Sequence, residues 1–259
     1  MKVVSVSKNP PIQSLGRVLD VLSLFDRERS ELSLSDIAEL LDWPVPTTHR
    51  ATATLAERGY LSRDPRTKLF RLGTEVVRLA ASMIAGFRLP DLARPYLQAL
   101  TEETGETASL AILEGAEVFF LASSAGTFRL RVEATPGLRS PAHCTALGKC
   151  LLAQLDPDEA RSRPGSEPYQ RETPESAGTW SELEPRLAKV RADGYALSVN
   201  EYEEGLSSCA VSIPTRDGLI AAINVAAPAV RLSPKALVEV VVPKLQAAAA
   251  AIALAQGHS

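Results

Sequence analysis

Residues 32–61 read LSLSDIAELLDWPVPTTHRATATLAERGYL. Ser33 and Asp36 stand three residues apart in the capping-box pattern, where a hydroxyl and a carboxylate satisfy backbone donors at a helix start, so a helix is expected to open near Leu34. Ile37, Leu40 and Leu41 recur at the spacing that places them on one buried face. Asp42-Trp43-Pro44 ends that short helix, because the residue before a proline is driven out of the α region. A second helix is expected from about Val45, with Pro46 tolerated in its first turn, where a missing N–H has no intrahelical partner. On it Thr48, Ala51, Thr52 and Leu55 share a face, leaving Pro46, Arg50 and Ala53 outward, flanked by Thr47, His49 and Thr54. This outward face is small and polar with one arginine at its middle, which suits the major groove of duplex DNA, where the backbone must come close and a guanidinium can take phosphate or a guanine edge. The pattern is that of a helix-turn-helix.

Gly59-Tyr60 should stop the second helix, and residues 61–63 and 68–72 read as two short strands around the turn Asp64-Pro65-Arg66-Thr67. The hairpin is a wing carrying Arg63, Arg66, Lys68 and Arg71, of which Arg63, Arg66 and Lys68 have no evident apolar neighbour and are candidate phosphate contacts. The competing interpretation is a three-helix protein-interaction domain with a solvated basic hairpin.

Outward from this stretch, 259 residues suffice for two domains of ordinary size. A hydrophobic content of 45% with 23% charged residues describes a soluble globular chain. No apolar run approaches the ~20 residues that span a bilayer, and MKVVSVSKNPPIQ lacks a signal-peptide core, so a cytoplasmic location is expected. The net charge of −3 is uneven: residues 1–74 hold 11 Lys and Arg against 9 Asp and Glu, and the remainder 17 against 22. The base-rich end is the end with the winged pattern, and local patches rather than net charge govern phosphate contact. Cys144, Cys150 and Cys209 form an odd set without C-x-x-C spacing, so reduced thiols are expected, with no disulfide framework, metal site or cofactor.

The expected organisation is a disordered tail over 1–11, a winged helix-turn-helix domain over 12–74, a linker helix over 75–90 and a second domain over 91–257. Ser14 caps a first helix with Leu15, Val18, Leu19, Leu22 and Phe25 as its stripe. The linker helix shows Val76, Leu79, Ala80 and Met83, an amphipathic stripe suited to a dimer contact. A helix from Asp91 to Thr104 precedes strands at 107–113, 117–123 and 128–134, then a helix after Thr145. Residues 156–179 have no clear period and are expected to be a mobile loop. Ser181 with Glu184 suggests a capping box for a helix to Asp193-Gly194. Strands follow at 195–199, 208–214 and 219–226, the last two joined by a polar turn at 215–218, and a terminal helix starts at Ser233-Pro234 with a kink at Pro243. Helices flanking hairpins, with few strict βαβ units, indicate an α/β chain of the α+β kind with an antiparallel sheet.

Several ordered stretches resemble the IclR family of bacterial transcription regulators over about residues 12–257: SLGRVLDVLSLF, the helix-turn-helix and wing above, PAHCTALGK (141–149), NEYEEGLSSCAVSIP (200–214) and INVAAPAVRLSP (223–234). The resemblance implies a winged-helix domain joined by a helix to a GAF-like effector domain, in a homodimer that pairs through its DNA-binding end or a homotetramer. It implies a ligand-responsive regulator, a repressor of a catabolic operon, bound to a double-stranded (pseudo)palindromic operator and controlled by a small carboxylate, aromatic in many members. It also maps effector contacts onto Ala146 and Leu147, onto Ser198, Asn200, Leu206, Ser208 and Cys209, and onto Asn224 and Ala226. The chain departs from the family pattern there. Ser198-Val199-Asn200 replaces an acidic run before Glu201, a usual cysteine aligns with Ser208 or Cys209, and Asn224 and Ala226 replace serines.

Other chemistry is weighed beside this. His143 beside Cys144 could be a metal or nucleophile pair, but without a third ligand it reads as a structural histidine beside a buried thiol. Lys149 reads as a solvated helix lysine and Glu201–Glu204 as a solvated loop, against a carboxylate partner and a cation site respectively. A thiol-dependent enzyme domain anchored to DNA would need Cys144, Cys150 or Cys209 activated by a base, and the sequence offers no persuasive base.

Overall fold

The computed structural model describes residues 13–26, 29–86, 88–214 and 220–256, so the expected tail at 1–11 and turn at 215–218 lie outside the described residues. The chain forms two compact units, divided between Phe87 and Arg88.

The first unit comprises α1 (Gln13–Ser23), α2 (Leu34–Leu40), α3 (Val45–Glu57), β1 (Leu61–Arg63), β2 (Phe70–Leu72) and α4 (Thr74–Gly86). The capping box forms as expected: Ser33 Oγ accepts from the Asp36 N–H, and the Asp36 carboxylate accepts from the Ser33 N–H at 2.8 Å. α2 ends at Leu40, and Asp42 takes the left-handed conformation (φ 51°) that turns the chain into α3. Val21, Phe25, Leu32, Ile37, Leu55, Leu61 and Phe70 make the core. Two elements differ from the expected pattern. Leu32 exchanges backbone hydrogen bonds with Phe70 and adds an isolated antiparallel bridge to the β1–β2 hairpin, and Val21 is the deepest residue of α1, while Leu15 and Leu19 stay 59% and 61% exposed.

The second unit holds α5 (Arg88–Thr104), β3 (Thr107–Glu114), β4 (Glu117–Ser124), β5 (Arg139–Pro141), α6 (Ala146–Leu152), α7 (Pro157–Ser162), α8 (Trp180–Asp193), β6 (Ala196–Val199), β7 (Leu206–Ile213), β8 (Ala221–Pro228) and α9 (Pro234–Gln256). Its six strands run in the order β5-β4-β3-β8-β7-β6, every neighbouring pair antiparallel. Strand alternation assigns the faces. Cys209 and Val211 of β7 join Leu97 of α5 and Leu245 and Ile252 of α9 in one core, and Ala210 between them joins Leu147 and Leu151 of α6 and Leu187 of α8 in the other.

Several expectations are corrected here. Residues 128–134 are not a strand, because side chains take the carbonyls that a ladder would use: Thr107 Oγ1 donates to Val132 O at 2.7 Å, Ser123 Oγ to Ala134 O, and Arg231 Nη2 to Leu130 O at 2.7 Å. The stretch 156–179 contains α7, capped by Asp156, and is tied down by Arg171 on Glu182 and by the Thr173 and Ser176 hydroxyls on the carbonyls of Asn200 and Glu201. α8 begins one residue before Ser181, with Thr179 at the N-cap. At the expected kink, Leu237–Val241 form a π-helical turn in which the Val242 N–H reaches Leu237 O, widening the helix just before Pro243, whose nitrogen has no hydrogen to donate. α9 is also long and apolar enough to span a bilayer by length and composition, because its alanine run adds hydropathy without bulk; it is a core helix here, burying Leu237, Val241, Leu245 and Ile252.

Candidate functional site

On α3 the threonines that face inward are made compatible with burial by back-bonding along the helix: Thr52 Oγ1 donates to Thr48 O at 2.9 Å, and Thr48 Oγ1 to Pro44 O. Thr48, Thr52 and Leu55 are buried and Ala51 is half-buried. The opposite face presents Pro46, His49, Arg50, Ala53 and Thr54 exposed, with Thr47 half-buried at its margin. In the wing, Asp64 Oδ1 accepts the N–H groups of Arg66 and Thr67 at 2.7 and 2.9 Å, and Lys68 adopts φ 63°, which together close the turn. The basic residues there are not equivalent. Arg66 and Lys68 are exposed; Arg63 lies over the Phe70 ring at 5.1 Å and donates to Lys68 O, so it does have an apolar neighbour; Arg71 is paired with Glu31.

In the second unit a cavity of about 70 Å³ lies on the α6 side of the sheet and opens to solvent. Ser109, Asn224, Ala226, Ser208 and Ser198 form its floor, a row of small residues that pair across β3, β8, β7 and β6. Ala146 and Leu147 enter from the start of α6, and Leu206 and Tyr202 from the chain leading into β7. Phe120, Leu138 and Ser140 close the β4–β5 end, and Val132, Glu133 and Ala134 the remaining wall. Among the residues expected from the sequence, Ala146, Leu147, Ser198, Leu206, Ser208, Asn224 and Ala226 converge. Asn200 and Cys209 do not. Asn200 sits at φ 56° with its side-chain carbonyl on the Gly205 N–H, a turn-forming role, and Cys209 points to the opposite core, which places Ser208 on the cavity side. Val132, Glu133 and Ala134 fall in the stretch expected to be a strand and Leu138 just beyond it, and their irregular backbone places them in the wall, whereas Ser109 is legible as a serine inside an apolar strand.

α6 is positioned by the motif that precedes it. Thr145 Oγ1 accepts from the Gly148 N–H and donates to Pro141 O, and Gly148 packs so tightly on Ala142 that a Cβ would lie 2.2 Å from the Ala142 backbone. Further along, Lys149 is buried, contrary to the solvated lysine expected, and pairs with Glu201, whose other carboxylate oxygen takes Arg186 Nη1 at 2.6 Å. Burial pulls the Lys149 pKa down and Glu201 opposes that pull. Glu201 is thus an ion-pair centre rather than part of a solvated loop.

Two family models cover the chain: "IclR helix-turn-helix domain" over residues 14–65 and "Bacterial transcriptional regulator IclR C-terminal" over 81–254. The chain belongs to the IclR family. It is 35% identical to the regulator BhcR of Paracoccus denitrificans, over 86% of this chain and 80% of that protein, and 32% identical to the regulator XynR of Escherichia coli K12, over 83% and 86%. The crystal structure of an IclR homolog complexed with 4-hydroxybenzoate, from Microbacterium hydrocarbonoxydans, superposes with a TM-score of 0.83 at 28% identity, covering 95% of this chain and all of that one. As an IclR-family member the protein is a DNA-binding regulator of transcription and not an enzyme.

The thiols accord with that assignment. Cys144, Cys150 and Cys209 are buried, and burial pushes each pKa up to about 12, the reverse of activation. His143 bonds Gln170 O at 2.8 Å against the Tyr169 ring, and burial lowers its pKa, so it is a neutral structural histidine. No group of three or more metal-ligating side chains occurs among the described residues.

Proposed function

We propose that this IclR-family regulator reads a double-stranded operator with Pro46, Thr47, His49, Arg50, Ala53 and Thr54 of α3 in the major groove, and that Arg63, Arg66 and Lys68 of the wing hold the flanking backbone. The observation that carries this is the exposed face of α3, small enough for close approach and centred on an arginine with room to reach a base edge. Repression of a catabolic operon is the expected sign, as the name of a relative, the repressor AllR of Klebsiella pneumoniae, 28% identical over 86% of this chain, suggests. The protein acts as a homodimer in the cytoplasm on a (pseudo)palindromic site, supported by uncovered apolar residues Leu15 and Leu19 on α1 and Val77 and Leu79 on α4; sedimentation distinguishes dimer from tetramer.

The cavity is the effector site, and the effector is a small carboxylate, partly aromatic. Its Phe120, Leu147 and Tyr202 walls and its serine and asparagine floor suit such a ligand, and a structural relative carries 4-hydroxybenzoate. Duplexes enriched from a random library by the protein itself supply the operator. Titration of ligand with and without that duplex should give two affinities differing by a coupling of about 1–3 kcal/mol, because a ligand shifts an equilibrium only by its differential affinity. Equal affinities would remove the cavity as a regulatory site, and absence of any enriched sequence would remove α3 as the reader.

A further inference from the structure

We propose that Arg231 is a positioning residue for the effector: it holds residues 128–134 against the sheet as a gate, and the effector enters only when that clasp gives. This rests on the cavity being the effector site. With the gate in place the cavity holds about 70 Å³, well below the roughly 300–1,000 Å³ of sites that enclose a small molecule, so one side has to yield. The floor is held on both edges, because β3, β8 and β7 each bond two neighbouring strands. α6 is fixed by the packing of Gly148 on Ala142, and the chain beside Tyr202 by the Thr173 and Ser176 hydroxyls on Glu201 O. The wall formed by Val132, Glu133 and Ala134 is fastened differently. Among the described residues, no backbone–backbone hydrogen bond ties residues 128–132 to another segment, and the bonds to Leu130 O, Val132 O and Ala134 O come from side chains.

Arg231 makes the strongest of these fastenings. Its Nε and Nη2 donate to the two carboxylate oxygens of Glu106 at 2.5 and 2.8 Å, and Nη2 also donates to Leu130 O at 2.7 Å. The guanidinium lies over the Phe128 ring, 4.5 Å from its centroid, and that ring packs so closely on Gly105 that a Cβ there would lie 2.5 Å from it. Glu106 is buried just before β3, so the arginine is pinned to the sheet through Glu106 and grips the gate through Leu130 O and Phe128. Thr107 and Ser123 add only neutral hydroxyl bonds, to Val132 O and Ala134 O, and a bond from a charged donor is about twice as strong. Phe128 and Leu130 are 44% and 66% exposed, so the gate has solvent on its outer side. A ligand that fits only the open arrangement binds with an affinity reduced by the fraction of molecules that are open, so weakening the clasp strengthens binding. Damage to the pocket itself does the opposite.

The test uses the full chain and two variants that loosen the gate without altering the cavity lining. Arg231→Met with Glu106→Leu removes the clasp and leaves no buried carboxylate unpaired, and Phe128→Ala removes the ring while keeping the ion pair. Arg129 and Arg131 are exposed on the gate, so brief trypsin treatment of the native protein, read by mass spectrometry, reports its opening. Cleavage after them should run about tenfold faster in the double variant and about threefold faster in Phe128→Ala, with cleavage elsewhere unchanged. Calorimetric titration with benzoate, 4-hydroxybenzoate and hexanoate should show each acid that binds doing so more tightly by the same factors. Circular dichroism checks folding, and Phe128→Ala decides where the double variant does not fold, since it truncates a half-exposed ring. Cleavage unchanged in the folded variants, or faster cleavage with binding equal to or weaker than wild type, overturns the gate and leaves the effector site standing. If none of the three acids binds to wild type or to either variant, the carboxylate effector site itself falls, and the gate with it.

Discussion

The two surfaces that concern function are built in opposite ways. The α3 face is assembled from residues within nine positions of one another, its polar groups lie in solvent, and the inward threonines satisfy themselves along their own helix. The cavity draws on all six strands of the sheet, the start of α6 and an irregular wall, and two of its polar atoms are buried without a protein partner. A surface that reads DNA can be polar without cost because water covers it until the duplex arrives. A surface that reads a small molecule must hold desolvated polar groups in place, and the framework that holds them has to be strong elsewhere.

On that contrast, the largest effect of a single substitution should fall on the framework beside the cavity. Replacing Lys149 with alanine leaves Glu201 buried with one cation fewer and should cost about 3–5 kcal/mol in urea denaturation, while the double replacement Lys149→Met with Glu201→Leu should recover much of it. A cost near zero for Lys149→Ala would mean that the pair is hydrated in solution.

On the DNA side the effects should be smaller and confined to binding. Arg50→Ala is expected to cost about 1–3 kcal/mol of operator affinity and to relax preference at one base position per half-site, leaving the melting temperature in place. A uniform loss over all sequences would assign Arg50 to a phosphate. The local origin of this surface can be tested through its cap: Ser33→Ala removes one half of the capping box and should lower stability by about 1 kcal/mol without changing effector affinity. In the wing, neutralising Arg66 and Lys68 together should flatten the salt dependence by about 0.9 in slope for each phosphate that is no longer neutralised, whereas Arg71, held by Glu31, should contribute little.

The smallest expected effect is none. Thiol pKa values pushed up to about 12 lie above the ordinary thiol value, so the reactive thiolate is scarce at any pH well below 12 and rises only as pH approaches it. Iodoacetamide at about pH 8, near the ordinary thiol pKa, should therefore leave Cys144, Cys150 and Cys209 unmodified in the native protein and label all three after denaturation, as read by mass spectrometry. Fast native labelling of one cysteine would show that its core opens.

Local periodicity and capping carry the part of this protein that is legible in the chain alone. Ser33 and Asp36, the inward run Thr48, Ala51, Thr52 and Leu55, the basic hairpin and the alternation of strand residues each depend on neighbours a few positions away, so the helix-turn-helix, the wing and the two-faced sheet can be read without knowing what packs on them. The rest depends on partners far apart in the chain and emerges only on folding. Register places Ser208 in the cavity and Cys209 behind the sheet; carbonyl-to-hydroxyl clasps from Thr107 and Ser123 turn residues 128–134 from a strand into a wall; and a carboxylate 52 residues away converts Lys149 from a solvated lysine into a buried ion pair. A side chain's sequence neighbours set its direction within an element, but whether it ends in water, in a core or against a ligand is set by the element packed opposite, and that element is chosen only when the whole sheet closes.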